Sequence, residues 1–326
     1  MEIEPSFHQA PRNFSRERLR VGAPLLAIAF IFLFSAILQG VIHACVLRWL
    51  PQLLQYDWYP WTLSMLPMYA VAMPLSLLLF RLTDAQPPQE ERMKPMIFFA
   101  LLALCFGFTY LGNFIGMMVN FVLGLLTGRE IVNELAQTTL SSPFWVNLLY
   151  AGILAPILEE VFYRKLVIDR LRVWGELPAV LISGIAFGLV HGNFSQFFYA
   201  AMLGIVFGYI YLRTGNIKYT VGLHMAINLV GGVFSTELSK RLTSMAEGVE
   251  QSMLELSVTL SMFGMYGLFL LALIPTTILS AVWLYRHWFR APIRAQKPLR
   301  ASEWRLVLLY NPAVWLFLVV VVMLFL

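Results

Sequence analysis

Acids, imidazoles and amides recur in three apolar stretches of this sequence, each at a spacing that suits proton transfer. The first reads Ala155-Pro156-Ile157-Leu158-Glu159-Glu160-Val161-Phe162-Tyr163-Arg164, the second Ala186-Phe187-Gly188-Leu189-Val190-His191-Gly192-Asn193, and the third Gly222-Leu223-His224-Met225-Ala226-Ile227-Asn228. An ionisable group at the centre of a membrane helix costs roughly 2.5–3.5 kcal/mol on insertion scales, so such groups are functional candidates by default. Carboxylates and imidazoles together are the usual makings of general acid–base chemistry on a water molecule.

Helical geometry divides the labour. Glu159 and Glu160 are sequence neighbours, so their side chains diverge by about 100° and are not expected to aim at one point. Glu160 and Arg164 are four apart, in the orientation that favours an ion pair on one helix face. That leaves Glu159 as the carboxylate free to face a cavity. His224 and Asn228 are also four apart, and two donors on one face suit a developing oxyanion. His191, on an intervening helix, suits a water shared with Glu159. Pro156 removes a helical hydrogen bond to the carbonyl of Gly152 and predicts a kink beside the site. His43 and His287, in contrast, read as packing or interfacial residues.

The elements that must position these groups are membrane helices. Of 326 residues, 59% are hydrophobic and 13% charged, with a mean hydropathy of +0.73. A soluble domain of this size carries about 25% charge. The fold class is therefore all-α, a polytopic membrane helical bundle of about nine spans. They lie near Val21–Leu47, Trp61–Leu82, Pro95–Leu126, Pro143–Leu166, Pro178–Asn193, Phe197–Leu212, Ile217–Phe234, Leu256–Leu284 and Leu306–Leu326. Backbone groups in hydrocarbon must be satisfied within the segment, which makes runs of this length helices. The chain reads as one membrane domain over residues 1–326, with residues 143–234 as its catalytic core. Residues 127–142 and 235–255 read as outside loops.

With the amino terminus cytoplasmic, nineteen lysines and arginines fall on inside segments and four (Arg48, Arg129, Lys240 and Arg241) outside. That asymmetry sets the direction and points to a multi-pass protein of the cell's inner membrane. The net charge of +5 sits in short loops between apolar runs, so it does not indicate a nucleic-acid partner. Cys45 and Cys105 fall inside apolar runs and imply no disulfide framework. Gly184/Gly188 and Gly204/Gly208 form small-xxx-small pairs that let two helices approach closely. Helix rise places Glu159 roughly 10 Å, His224 roughly 11 Å and His191 roughly 20 Å from the inner edge, and predicts a cavity opening toward the cytoplasm.

At these residues the sequence resembles the CPBP family, the CAAX proteases and bacteriocin-processing (Abi) proteins. Glu159-Glu160 with Arg164, Phe187 with His191, and His224 with Asn228 match its three motifs in order, over about Pro143 to Phe234. The resemblance implies an intramembrane glutamic endopeptidase that acts on a membrane-associated or prenylated, CAAX-like peptide. Glu159 helped by His191 would activate water, His224 and Asn228 would hold the oxyanion, and Glu160 with Arg164 would support the helix. No cofactor is implied. The partners would be membrane lipid and a peptide or protein substrate, with or without a lipid anchor.

Two other readings use the same residues. Zinc could be held by the glutamates and histidines, although no His-Glu-x-x-His helix is present. A transporter or immunity protein could use the cluster as a proton relay or as structure. The sequence lacks the paired inverted repeats common in transporters.

Overall fold

The computed structural model describes residues 14–129, 131, 133–247, 252–289, 299 and 301–325. Among these residues every regular element is helical. We label the main helices α1 (Glu17–Trp49), α2 (Tyr59–Phe80), α3 (Pro95–Thr127), α4 (Phe144–Trp174), α5 (Glu176–Leu189), α6 (Phe194–Thr214), α7 (Ile217–Ala246), α8 (Met253–His287), α9 (Ser302–Leu309) and α10 (Pro312–Phe325). Seven of them are long and apolar enough to cross a membrane, and the bent pair α9–α10 makes an eighth.

The surface agrees with that environment. On α8, only 11% of the apolar window is buried, and Leu268, Leu271, Ile274 and Leu279 stand exposed along it. An apolar face of this extent is stable only against lipid or another protein. In α6, by contrast, 67% of the apolar window is buried. It is the central helix. One core joins α1, α2, α4, α5, α6 and α10, and a second joins α3, α6, α7 and α8, so that α6 belongs to both.

Close helix approach explains the glycines. A Cβ on Gly184 would lie 2.6 Å from the backbone nitrogen of Ile205, and one on Gly204 would lie 2.8 Å from Cα of Gly184. The α5–α6 pair therefore meets backbone to backbone, as the small-residue spacing predicts. Gly112 and Gly116 give α3 the same closeness to Tyr199 and Phe194 of α6. Gly184→Val is expected to overpack this seam and cost about 1–3 kcal/mol, read as a lower unfolding temperature in detergent.

Three expected boundaries shift. The segment expected to span near Pro178–Asn193 is α5, whose 14 residues reach about 21 Å, short of a hydrocarbon core of about 30 Å. It ends inside the bundle at Gly192, where φ is +66°, and Asn193 turns the chain back by accepting from the Gln196 amide at 3.0 Å. The last segment, expected as one span, is broken by 63° between α9 and α10. Pro312 lacks the amide proton a continuous helix needs, and Asn311 caps α10 by accepting from Ala313 at 3.1 Å. Finally, part of the expected outside loop 235–255 is helical, because α7 continues to Ala246 with Leu238 buried against the bundle. The loop 127–142 contains a short helix, Glu134–Ser141. Arg12, Arg290, Arg294, Lys297 and Arg300, which contribute to the charge asymmetry, lie outside the described residues.

Both cysteines are free thiols. His43 shares a hydrogen bond with the Tyr59 hydroxyl at 2.8 Å, and His287 bonds the Trp283 carbonyl at 2.8 Å. Both contacts fit packing.

Candidate active site

Four helical segments wind as π-helix: Leu66–Ala72 in α2, Leu148–Leu154 and Val161–Ile168 in α4, and Asn228–Phe234 in α7. All four border the polar cluster, and such bulges occur frequently at functional sites. One of them, Leu148–Leu154, ends two residues before Pro156, where the sequence predicts a kink.

Glu160 is fully buried and bound to Arg164 at 2.8 and 3.1 Å. A buried ion pair is stable only when its remaining donors are also satisfied. Arg164 Nη1 donates to the Ser183 hydroxyl at 3.1 Å, and that hydroxyl donates to the Tyr163 carbonyl at 3.0 Å. The guanidinium also lies over the rings of Phe187 (5.6 Å) and Phe207 (5.8 Å). The pair thus ties α4 to α5 and α6.

His224 corrects one expectation from the sequence. Its Nδ1 lies 3.2 Å from Glu160 Oε1, and its Nε2 lies 3.7 Å from Glu159 Oε2. The two neighbouring glutamates therefore do converge, on opposite edges of one imidazole. Divergence of 100° forbids a shared atom, but a ring with two nitrogens accommodates it. Because a carboxylate accepts, Nδ1 donates to Glu160. The Nε2 edge then faces Glu159 across a gap longer than a direct hydrogen bond and suited to a bridging water.

Glu159 is the cavity-facing carboxylate, with 19% of its side chain exposed. Its Oε1 accepts from the Tyr69 hydroxyl at 2.9 Å. No local pattern marks Tyr69, which lies ninety residues upstream in an apolar run where a tyrosine reads as wall. His191 Nδ1 sits 2.7 Å from the Phe187 carbonyl. A carbonyl only accepts, so Nδ1 carries the proton and Nε2 keeps its lone pair. Asn228 donates one amide hydrogen to the Ala151 carbonyl at 2.9 Å, in the π-helical stretch of α4. Its second hydrogen has no partner among the described residues.

Glu159, His191, His224, Asn228 and Tyr69 all line one cavity of about 970 Å³. Its walls run from Glu159 to Trp61, Asn120, Thr138 and Asn147, at the helix ends that the charge asymmetry assigns to the outer side. Below Glu159, the fully buried Arg164, Phe207, Ile168 and Tyr211 close the bundle. The cavity thus extends toward the helix ends opposite to those where the sequence placed its mouth. The depth count took the ends of apolar runs as membrane edges, whereas α4 runs eight residues past Leu166, to Trp174.

For the zinc reading, the donors are already engaged: Glu160 binds Arg164, and His224 Nδ1 binds Glu160. Among the described residues, no three His, Cys, Asp or Glu side chains gather in a metal-holding arrangement.

Residues 141–230, which hold all three motifs, match the family model described as Type II CAAX prenyl endopeptidase Rce1-like. This segment is similar to that family. Over 114 residues the chain is 29% identical to the "Putative membrane peptidase YdiL" of Bacillus subtilis (strain 168), covering 35% of this chain and 46% of that relative. Over 169 residues it is 23% identical to the "Membrane-embedded CAAX protease MroQ" of Staphylococcus aureus (strain USA300), covering 48% of this chain and 66% of that one. The match to these curated relatives thus spans about half of the first and just under two thirds of the second. No solved structure matches the chain. The protein is an integral, multi-pass membrane protein whose residues 141–230 are similar to a family of membrane peptidases.

Tyr69 and α10 lie outside the Rce1-like segment. Tyr69→Phe keeps the ring and removes the donor to Glu159. A hydrogen bond to a charged group contributes about 1.5–3 kcal/mol, so kcat for peptide cleavage is expected to fall at least about 10-fold with KM nearly constant.

Proposed function

We propose that this protein is an intramembrane endopeptidase in which Glu159 activates a water molecule. The observation that carries the reading is the imidazole of His224 set between Glu159 and Glu160 at the wall of a cavity shared with His191 and Asn228. Glu159 takes a proton from water while His191 Nε2 accepts a second hydrogen bond and orients it. The water oxygen bonds to the scissile carbonyl carbon. The free Asn228 amide hydrogen and His224, protonated on both nitrogens so that Nε2 donates while Nδ1 stays on Glu160, face the developing oxyanion, where one such donor typically contributes about 2.7–4 kcal/mol. Collapse of the tetrahedral species breaks the C–N bond, and the proton held by Glu159 passes to the leaving amine.

Glu160 and Arg164 act as positioning residues, since Glu160 fixes the tilt of His224 and Arg164 fixes Glu160. The substrate is a membrane-associated protein or peptide of CAAX-like type, prenylated or not. The Rce1-like segment supports that class, and the charge asymmetry supports an inner-membrane protein with a cytoplasmic amino terminus. No metal takes part in this scheme.

The test uses purified protein in lipid discs with apolar carboxy-terminal peptides, prenylated and unprenylated, and mass spectrometry of the products. Cleavage that is lost in Glu159→Gln and persists in a zinc chelator is the expected result. Loss on chelation with recovery on added zinc would overturn the metal-free scheme. Proton-coupled flux without cleavage would overturn the peptidase reading.

A further inference from the structure

A second, smaller cavity opens behind the catalytic groups. It measures about 170 Å³ and touches Glu159, His191 and Tyr69, but its remaining wall is almost wholly apolar: Ile31 and Phe32 from α1, Met73 from α2, Phe162 from α4 and Val190 beside α5. Glu159, His191, Tyr69, Met68 and Phe187 border both cavities, so a bond held at Glu159 has access to both.

The two spaces differ in chemistry. In the large one, the buried Oδ1 atoms of Asn120 and Asn147 accept no hydrogen bond from the described residues. Unpaired acceptors of that kind suit the amide hydrogens of a peptide backbone, because a buried acceptor left alone costs about 1–3 kcal/mol. Besides the catalytic groups, Tyr163 is the one residue in the lining of the small space with a polar side-chain group. Its size is near that of an apolar cavity of about 150 Å³ that admits benzene. That is the volume of one leucine, methionine or phenylalanine side chain, and too little for a prenyl chain of several isoprene units.

We propose that this slot is a specificity subsite which receives the apolar side chain of a substrate residue flanking the scissile bond, while the backbone lies in the large cavity. The proposal rests on the peptidase reading and assigns its residue preference. Ile31, Phe32 and Met73 then determine specificity from helices that lie outside the Rce1-like segment. Burying an aliphatic side chain contributes about 1.5–3 kcal/mol, which corresponds to about 10-fold or more in kcat/KM.

The experiment uses the full chain in lipid discs and a set of unprenylated peptides that differ only at the residues flanking the cut, carrying Gly, Ala, Leu, Phe, Trp or Asp. At one of those positions, Leu and Phe are expected to exceed Gly and Asp by about 10-fold or more in kcat/KM. Ile31→Trp should fill the slot and move the preference to Ala, and Met73→Ala should enlarge it and admit Trp. Cleavage of the Ala peptide reports that each variant is folded. Equal rates across the set, or a preference unmoved by both variants, would overturn the subsite. So would variants that alter the rate on a farnesylated peptide while the residue preference stays fixed, since the slot would then hold lipid. Binding of the same peptides to Glu159→Gln, read by fluorescence anisotropy, separates the two claims. A Leu-over-Asp binding preference without wild-type turnover would remove the peptidase reading and keep the subsite.

Discussion

Glu159→Gln is expected to lower kcat/KM for peptide hydrolysis by about 10²–10⁴-fold, the usual contribution of a general base, while the folded protein persists. The substitution is nearly isosteric. Glutamine keeps a carbonyl oxygen able to accept from Tyr69, whose hydroxyl lies 2.9 Å from Oε1 in the wild type. It removes only the lone pair and charge that face His224 Nε2 at 3.7 Å. Since the side chain faces the cavity, no buried partner is stranded. The measurement is paired: initial rates on a cleaved peptide, and the unfolding temperature of the same preparation. Undiminished cleavage would refute Glu159 as the base, and a large fall in unfolding temperature would make the rate uninterpretable for catalysis.

The parts of this site differ in how far the sequence discloses them. Glu160 with Arg164 and His224 with Asn228 are legible because four-residue spacing on a helix translates directly into a shared face. The seam of Gly184 and Gly204 is legible for the same reason, as close packing in lipid selects small residues at regular spacing. Tyr69 is not legible, because its meaning depends on α2 folding back against α4. No local pattern encodes that contact. The convergence of Glu159 and Glu160 was hidden for a different reason. The spacing rule describes Cβ directions, whereas the meeting point is a ring with polar atoms on two edges.

Depth was the weakest inference. Apolar runs show where a helix can lie in lipid, but α5 and α10 are short helices positioned by packing against their neighbours rather than by length. His191 belongs to the turn that ends α5, so its height follows from Gly192 and Asn193 and from the packing of α5 on α6. Asn311-Pro312 is a recognisable helix boundary, and the break between α9 and α10 occurs there despite continuous hydrophobicity on both sides.

Arg164→Ala is expected to have the largest effect on stability, about 3–5 kcal/mol, because it leaves the Glu160 charge uncompensated in a fully buried position. It also removes one hydrogen bond from the Ser183 hydroxyl, which keeps the Tyr163 carbonyl, and takes the guanidinium from over the rings of Phe187 and Phe207. A domain with a typical margin of 5–15 kcal/mol loses much of it, so the variant should yield less monodisperse protein and a clearly lower unfolding temperature. Replacing both partners by apolar residues tests the cause. Glu160→Leu combined with Arg164→Met removes the stranded charge, and apolar replacements of buried pairs are often neutral or stabilising. The double variant is expected to regain most of the lost stability. It should still be a poor enzyme, because His224 Nδ1 loses the acceptor that holds its ring 3.2 Å from Glu160. Recovery of stability without recovery of kcat would identify Glu160 as a positioning residue for His224. Recovery of both would show that the ion pair serves the fold alone.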